Sequence, residues 1–244
     1  MKRGLIGAGV VLALLLAVGY TFQEKLVLTV MQRIAENRMA ASAMDDLPDG
    51  LHVILCGAGS PLADERRSGP CTAVLAGDTL VIFDAGTGGS RQLTLMNLPH
   101  DRIEALFLTH FHSDHIDGMG ELMLQRWVNG AHAEPLPVYG APGVERVVAG
   151  FNRAYAQDFA YRTAHHGVEV APPSGAGATA KVFLPLAPGE QGVVFAEGDD
   201  LKIYAFQVEH APVHPAVGYK IVYKDRSVVI SGDTKKSTPV AKAA

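Results

Sequence analysis

Residues 109–118 read Thr-His-Phe-His-Ser-Asp-His-Ile-Asp-Gly, so three histidines and two aspartates crowd into ten positions directly after the apolar run 105–108. Side chains of this kind raise the cost of folding unless something positive neutralises them. Neutral imidazole nitrogens and carboxylate oxygens suit a borderline cation such as zinc, at about 2.0–2.2 Å, and the lack of paired cysteines argues against thiolate ligation. A turn of the form H-x-H-x-D-H can aim His110 and His112 at one ion and the pair Asp114 and His115 at a second. Between two ions a few ångströms apart, a bridging water ionises near neutral pH and becomes an attacking hydroxide.

Such a centre has to be assembled by elements that bring distant residues together. Short apolar runs at 51–55, 72–76, 79–84, 105–109, 136–140, 181–184, 201–208, 217–223 and 227–231 predict strands, several buried on both faces. Helical periodicity appears at 118–128 and 143–157. Many strands with few helices between them predict face-to-face sheets with helices outside, a layered α/β arrangement. The unusual polar residues then fall just past strand ends: Asp84, the 110–115 cluster, His210 and Asp233. Strand ends along one edge are where loops converge on a ligand.

Other candidates have plainer readings. His214, four residues past His210, is the alternative ligand, but the strand pattern ends at His210 and a solvated loop histidine is expected. His165 and His166 are expected as a surface pair near a turn. His100 and His132 sit in loops and are given no role. The glycine-rich stretches 57–60 and 86–90 lack a P-loop lysine and the G-x-G-x-x-G spacing, so tight turns are expected. Trp127 is read as the buried face of a helix, and Asp199-Asp200 as a turn.

Composition bounds the function. About half of the 244 residues are apolar, enough for a full core, which excludes a disordered chain. A net charge of −4 with scattered lysines and arginines marks no basic stripe, which makes nucleic acid the less expected substrate. The only two cysteines, Cys56 and Cys71, are too far apart for a CxxC motif and too few for a disulfide scaffold. Two buried free thiols are expected, with one bridge the alternative in an oxidising compartment.

At the N-terminus, Lys2 and Arg3 precede an uncharged, mostly apolar stretch, residues 4–20, at the short end of what spans a bilayer. Residues 1–22 are therefore read as a signal anchor or signal peptide. A retained anchor is expected over cleavage, because Ala17-Val18-Gly19 is only a loose small-x-small site. Residues 23–48 read as a membrane-proximal helix and linker, ended by Asp45-Asp46-Leu47-Pro48-Asp49-Gly50, and residues 49–244 as the globular domain. The basic residues on the two sides nearly balance, and the bulk of the chain is placed outside the cytoplasmic membrane.

The motif HFHSDH, with its companions CGAGSP, VIFDAGTG, VEHAPVHPAVGYKI and ISGDT in the same order, resembles the metallo-β-lactamase superfamily and its ribonuclease Z and arylsulfatase-like branch. The similarity covers about residues 51–244. It implies an αββα sandwich and a dinuclear metal hydrolase, with zinc expected and manganese or iron the alternatives. Carried over by position, His110, His112 and His210 would hold the first metal, Asp114 and His115 the second, and Asp233 would bridge them. Asp114 would also orient or deprotonate the water. Asp84 matches the buried aspartate that steadies the metal loop.

Members of that branch continue past the GDT strand into further units and a last histidine for the second site, whereas this chain stops at KKSTPVAKAA. The resemblance thus implies a C-terminally incomplete sandwich: either a longer gene product, or a chain that binds one metal well and is feebly active. Two functions follow as expectations, a metal-dependent hydrolase of phosphodiester, sulfate or carboxylic esters, and a membrane-tethered metal-binding domain without catalysis. A small ester is the expected substrate, because an exported chain would not meet tRNA.

Overall fold

Alternation of more and less buried side chains along Leu51–Gly57 (β1) gives way to largely apolar, buried stretches at Cys71–Ala76 (β2) and Thr79–Phe83 (β3), and these three pair as an antiparallel meander. Ile103–Phe107 (β4), Leu136–Gly140 (β5) and Ala178–Val182 (β6) then add in parallel, giving the order β1-β2-β3-β4-β5-β6. Parallel neighbours need crossovers. These contain Gly89–Leu95 (α1) between β3 and β4, the single turn Ser113–Ile116 (α2) with Met119–Gly130 (α3) between β4 and β5, and Val144–His166 (α4) before β6. Gln191–Glu197 (β7), Leu201–Gln207 (β8), Val217–Tyr223 (β9) and Arg226–Ile230 (β10) form a second, antiparallel sheet in the order β10-β9-β8-β7, followed by Thr238–Ala243 (α5). The computed structural model describes residues 42–184, 187 and 189–244, together with positions 23, 25, 27, 29, 30 and 33.

The sheets face each other across an apolar core. Val74, Val81, Phe83 and Phe107 of the first meet Ile203, Tyr219 and Ile221 of the second. The rings of Phe83 and Phe107 stack at 5.0 Å between centroids, and Tyr219 meets Phe107 edge-on at 5.6 Å. The other face of β3 and β4, with Leu80, Ile82 and Leu106, is equally buried, and α3 and α4 pack on the first sheet. Burial on both faces explains why these strands read as continuous apolar runs. On the second sheet Ala243 and Val240 of α5 cover Phe206, Val208 and Ala216. The expected α/β sandwich is the one observed.

Several expectations are corrected. Cys56 and Cys71 are not free thiols but a disulfide, with Cα atoms 5.0 Å apart. β1 pairs Leu55 with Thr72 and Gly57 with Cys71, so the bulge at Cys56 sets the two cysteines side by side, which their spacing of 15 in sequence conceals. The strand expected at 181–184 lies at Ala178–Val182, β7 and α1 were not foreseen, and α4 runs to His166 instead of 157.

The described residues divide into two units between Asp45 and Asp46. In the first, the six scattered positions are helical and exposed, and the Thr29 hydroxyl donates to the Lys25 carbonyl at 2.7 Å. The expected anchor, residues 1–22, lies outside the described residues. Among the described residues no helix is long and apolar enough to cross a membrane.

Candidate metal centre

β4 ends at Phe107, the chain bends at Thr109, and His112 is extended (φ −64°, ψ 149°) directly before the turn of α2 begins at Ser113. The rings of His110 and His112 meet edge-on at 4.7 Å between centroids, while the helical turn redirects Asp114 and His115. Asp84, just past β3, fixes this segment. It is buried, with φ at +57°, and its backbone N–H donates to the Phe107 carbonyl at 2.8 Å. Its carboxylate accepts the Thr109 N–H, the Thr109 hydroxyl and His115 Nδ1–H, each at 2.8 Å. The Thr109 hydroxyl in turn lies 3.1 Å from His110 Nδ1. Both buried imidazoles are thus held through Nδ1, which leaves Nε2 facing the centre.

Glycines let the supporting loops come this close. A Cβ on Gly86 would overlap the Asp114 carbonyl, and one on Gly118 would overlap the Gly86 carbonyl. The backbone bonds Ala85 N–H to His115 O and Gly118 N–H to Ala85 O, both 2.8 Å, lock the same contact. From the second sheet, Gly232 at φ +58° passes Thr109 so closely that a Cβ would lie 2.8 Å from the threonine Cβ. That approach delivers Asp233. His210 follows β8, and its loop is tied to the Asp233 loop by Lys235 N–H donating to the Glu209 carbonyl at 2.9 Å and by the Thr234 hydroxyl donating to it at 3.2 Å.

Two sets of donor atoms converge, sharing His110: His110, His112 and His210, and His110, His115 and Asp233, each with donor atoms within 4.8 Å of one another. His110 Nε2 lies 3.0 Å from His112 Nδ1, which lies 3.5 Å from His210 Nε2. Ligands at zinc–nitrogen distances across a tetrahedral angle lie about 3.3 Å apart, and the two separations bracket that value. In the other set His115 Nε2 is 3.5 Å from Asp233 Oδ1, while Asp233 Oδ2 is 4.0 Å from His210 Nε2. One carboxylate therefore turns an oxygen to each set.

His115 Nε2 is buried without a hydrogen-bond partner, an arrangement proteins avoid unless a ligand completes it. The donor set therefore fits divalent metal ions, and zinc in particular. Burial, then the neighbouring His115, drives the His110 pKa down to about 3, so this imidazole is neutral and ligand-ready. Burial also opposes protonation of His115, but the Asp84 hydrogen bond and the charges of Asp84, Asp233 and Asp114 outweigh it and raise that pKa.

Asp114 stands apart from both sets. Its Oδ2 is 3.7 Å from His115 Nε2, at the edge of the centre. His214 is exposed and belongs to neither set; Trp127 is buried on α3, as expected. The tight turn expected at 86–90 contains Gly86, whereas Thr109, Gly118 and Gly232 had no role in the sequence reading. A threonine directly before H-x-H, a glycine three residues past His115 and one directly before Asp233 were the available signals.

The superfamily described as "Metallo-beta-lactamase superfamily" matches residues 64–243, and the chain belongs to it. Within it, the chain is 36% identical over 186 residues to Ribonuclease Z of Mycolicibacterium gilvum (strain PYR-GCK), covering 75% of this chain and 62% of that protein. To Ribonuclease Z of Mycobacterium bovis (strain BCG / Pasteur 1173P2) it is 34% identical over 187 residues, covering 75% and 63%. The chain thus spans less than two thirds of the length of these relatives. Among solved structures, human tRNase Z, short form, aligns with a TM-score of 0.57 at 22% identity over 76% of this chain and 70% of that one. The metallo-beta-lactamase fold protein YhfI from Bacillus subtilis aligns at 0.53 and 19%, over 78% and 65%. Both share the fold.

Proposed function

We propose that the protein is a dinuclear metal-dependent hydrolase of phosphodiester bonds. The observation that carries this reading is the pair of donor sets joined by His110 and Asp233, with His115 Nε2 of the second set buried and without a hydrogen-bond partner. When bound, two divalent cations supply Lewis acidity at the ester oxygen and bring the ionisation of water near neutral pH. His110, His112 and His210 would hold the first, and His115 the second with Asp114 at its edge, while Asp233 turns an oxygen to each set. Asp84 and Thr109 keep the two buried imidazoles in the tautomer that presents Nε2. Asp114, at the margin of the centre, orients the attacking water and accepts its proton at Oδ2. The ribonuclease Z relatives favour a phosphodiester over a sulfate or carboxylic ester.

A small phosphodiester is the proposed substrate, with residues 1–22 directing export or anchoring. The Cys56–Cys71 disulfide supports an oxidising compartment, where tRNA is absent. Zinc-loaded protein is expected to hydrolyse bis(p-nitrophenyl) phosphate, with activity lost to chelator and in His112→Ala. Metal binding without turnover would leave a binding domain only. Faster cleavage of an unprocessed tRNA 3′ end than of any small diester would assign the substrate to RNA.

A further inference from the structure

Gly69 and Pro70 directly precede β2 and pack against the turn that supports α2. Gly69 N–H donates to the Thr87 carbonyl and Gly86 N–H to the Pro70 carbonyl, both at 2.9 Å. A Cβ on Gly69 would lie 2.8 Å from Thr87 N and 3.0 Å from the Asp114 carbonyl, and one on Gly86 would overlap that same carbonyl. The backbones at 69–70, 86–87 and 114 therefore meet in one close contact. Ala85 N–H donates to the His115 carbonyl at 2.8 Å, so the placing of 69–70 bears on both residues of the Asp114-His115 pair. None of these bonds involves His110, His112 or His210.

The residues that lead into this contact cannot fix it, since 60–67 are exposed and bond to one another, as Arg66 N–H does to Asp64 Oδ1 at 2.8 Å. On its other side stands Cys71, bridged to Cys56 of β1. Cys71 also fills the space before Gly89, where a Cβ would lie 2.9 Å from its Cβ and 3.0 Å from its Sγ. The bridge thus pins Cys71 between β1 and the residue that opens α1, next to the 85–88 turn. We propose that the Cys56–Cys71 bridge is the positioning element for the second metal ion: only the oxidised chain keeps α2 where His115 and Asp233 retain an ion, so the hydrolase is silent until the bridge forms. This rests on the dinuclear reading above. Closure is two thiol–disulfide exchanges with a disulfide oxidant. One cysteine thiolate attacks the oxidant and expels a thiolate, the other attacks the mixed disulfide and expels the second, and the two cysteine protons pass to the two thiols released. Both cysteines are buried, so the bridge is set as the chain folds and is not opened afterwards by a reductant in solution.

The test is calorimetric titration of the metal-free chain with zinc. Oxidised wild type is expected to take two ions. Cys56→Ala with Cys71→Ala, which also removes the thiols as competing ligands, should keep the first within about twofold and bind the second about 10–100-fold more weakly, losing it through gel filtration. Wild type unfolded in urea and refolded with a phosphine, which leaves as its oxide, should behave like the variant. Refolding with glutathione disulfide in place of the phosphine should restore the second ion. Two ions held at wild-type affinity without the bridge, both weakened alike, or only one taken by the oxidised chain overturns the proposal. So does loss of the cooperative unfolding transition in chelator by both the variant and the reduced chain, because the bridge then serves the whole fold. Two ions with the bridge and one without it, and no ester turned over by either, would sink the hydrolase reading and leave this one standing.

Discussion

Thr109 joins the two halves of the centre through a single hydroxyl, 2.8 Å from Asp84 Oδ2 and 3.1 Å from His110 Nδ1. Its proton goes to the carboxylate, so its oxygen accepts from His110, and the Nε2 lone pair is left for a metal. Thr109→Val keeps the shape and removes both bonds; zinc affinity is expected to fall about 10–100-fold, measured against a chromophoric chelator, with Thr109→Ser close to wild type. His100 makes a different prediction. It is buried against Ser90 Oγ at 3.0 Å, and burial lowers its pKa from 6.5. The unfolded chain therefore binds a proton near pH 6.5 that folded His100 resists, and stability falls as pH drops below that value. His110 acts in the same sense and His115, with its raised pKa, in the opposite one. Urea unfolding of the metal-free protein at pH 7 and pH 5 should show His100→Gln losing less than wild type, the difference at most about 1.4 kcal/mol per pH unit. The metal-capable residues were legible because H-x-H-x-D-H is local and His210 and Asp233 stand at strand ends. Thr109 was not, since its partner Asp84 lies 25 positions earlier and only pairing of β3 with β4 brings them together.

At the scale of elements, α2 is a single turn that cannot hold its own position, and the glycine contacts around it do so instead. Gly118→Ala would force a Cβ into the Gly86 carbonyl and push α2 from the turn at 85–87. A loss of about 1–3 kcal/mol in unfolding free energy is expected, with less zinc retained through gel filtration. Gly150→Ala is the control: nothing lies within 4 Å of the added carbon, and in the interior of α4 the alanine should gain up to about 1 kcal/mol. Equal effects at both sites would mean the close contact does not constrain α2. Strand positions were legible where burial fixes an apolar run, and β5 and β9 coincide with the runs that predicted them. β6 sits three residues earlier than its run because parallel pairing of Leu136 with Ala178 through Gly140 with Val182 sets its register, and Leu184 is left exposed. β7 escaped notice because it is an edge strand with no fully buried residue, and α1 because it starts on a glycine without a side-chain cap.

At the scale of the molecule, the donor residues are divided between the sheets: His110, His112 and His115 follow β4 of the first, while His210 and Asp233 follow β8 and β10 of the second. The protein already ties those sheets together next to the centre. Buried Tyr219 donates its hydroxyl to the Leu108 carbonyl at 2.7 Å, and Val217 N–H donates to the Thr109 carbonyl at 2.9 Å. Metal binding should therefore act as one more clasp between sheets, stabilising the whole fold and not a loop alone. At zinc about 1,000-fold above its dissociation constant the gain is about 4 kcal/mol, a rise in Tm of about 8–16 °C for a domain of this size. Differential scanning calorimetry with zinc and with chelator measures it. His210→Ala, which removes the second sheet from one donor set, should lose most of that gain while leaving the chelated protein near the wild-type Tm. Tyr219→Phe should do the reverse. It leaves the buried Leu108 carbonyl unpaired and lowers both Tm values by an amount corresponding to about 1–3 kcal/mol, with the zinc increment intact. If His210→Ala keeps the full increment, the ions are held by the β4 loop alone and the sheets are joined by their apolar core and the Tyr219 bond without help from the metal.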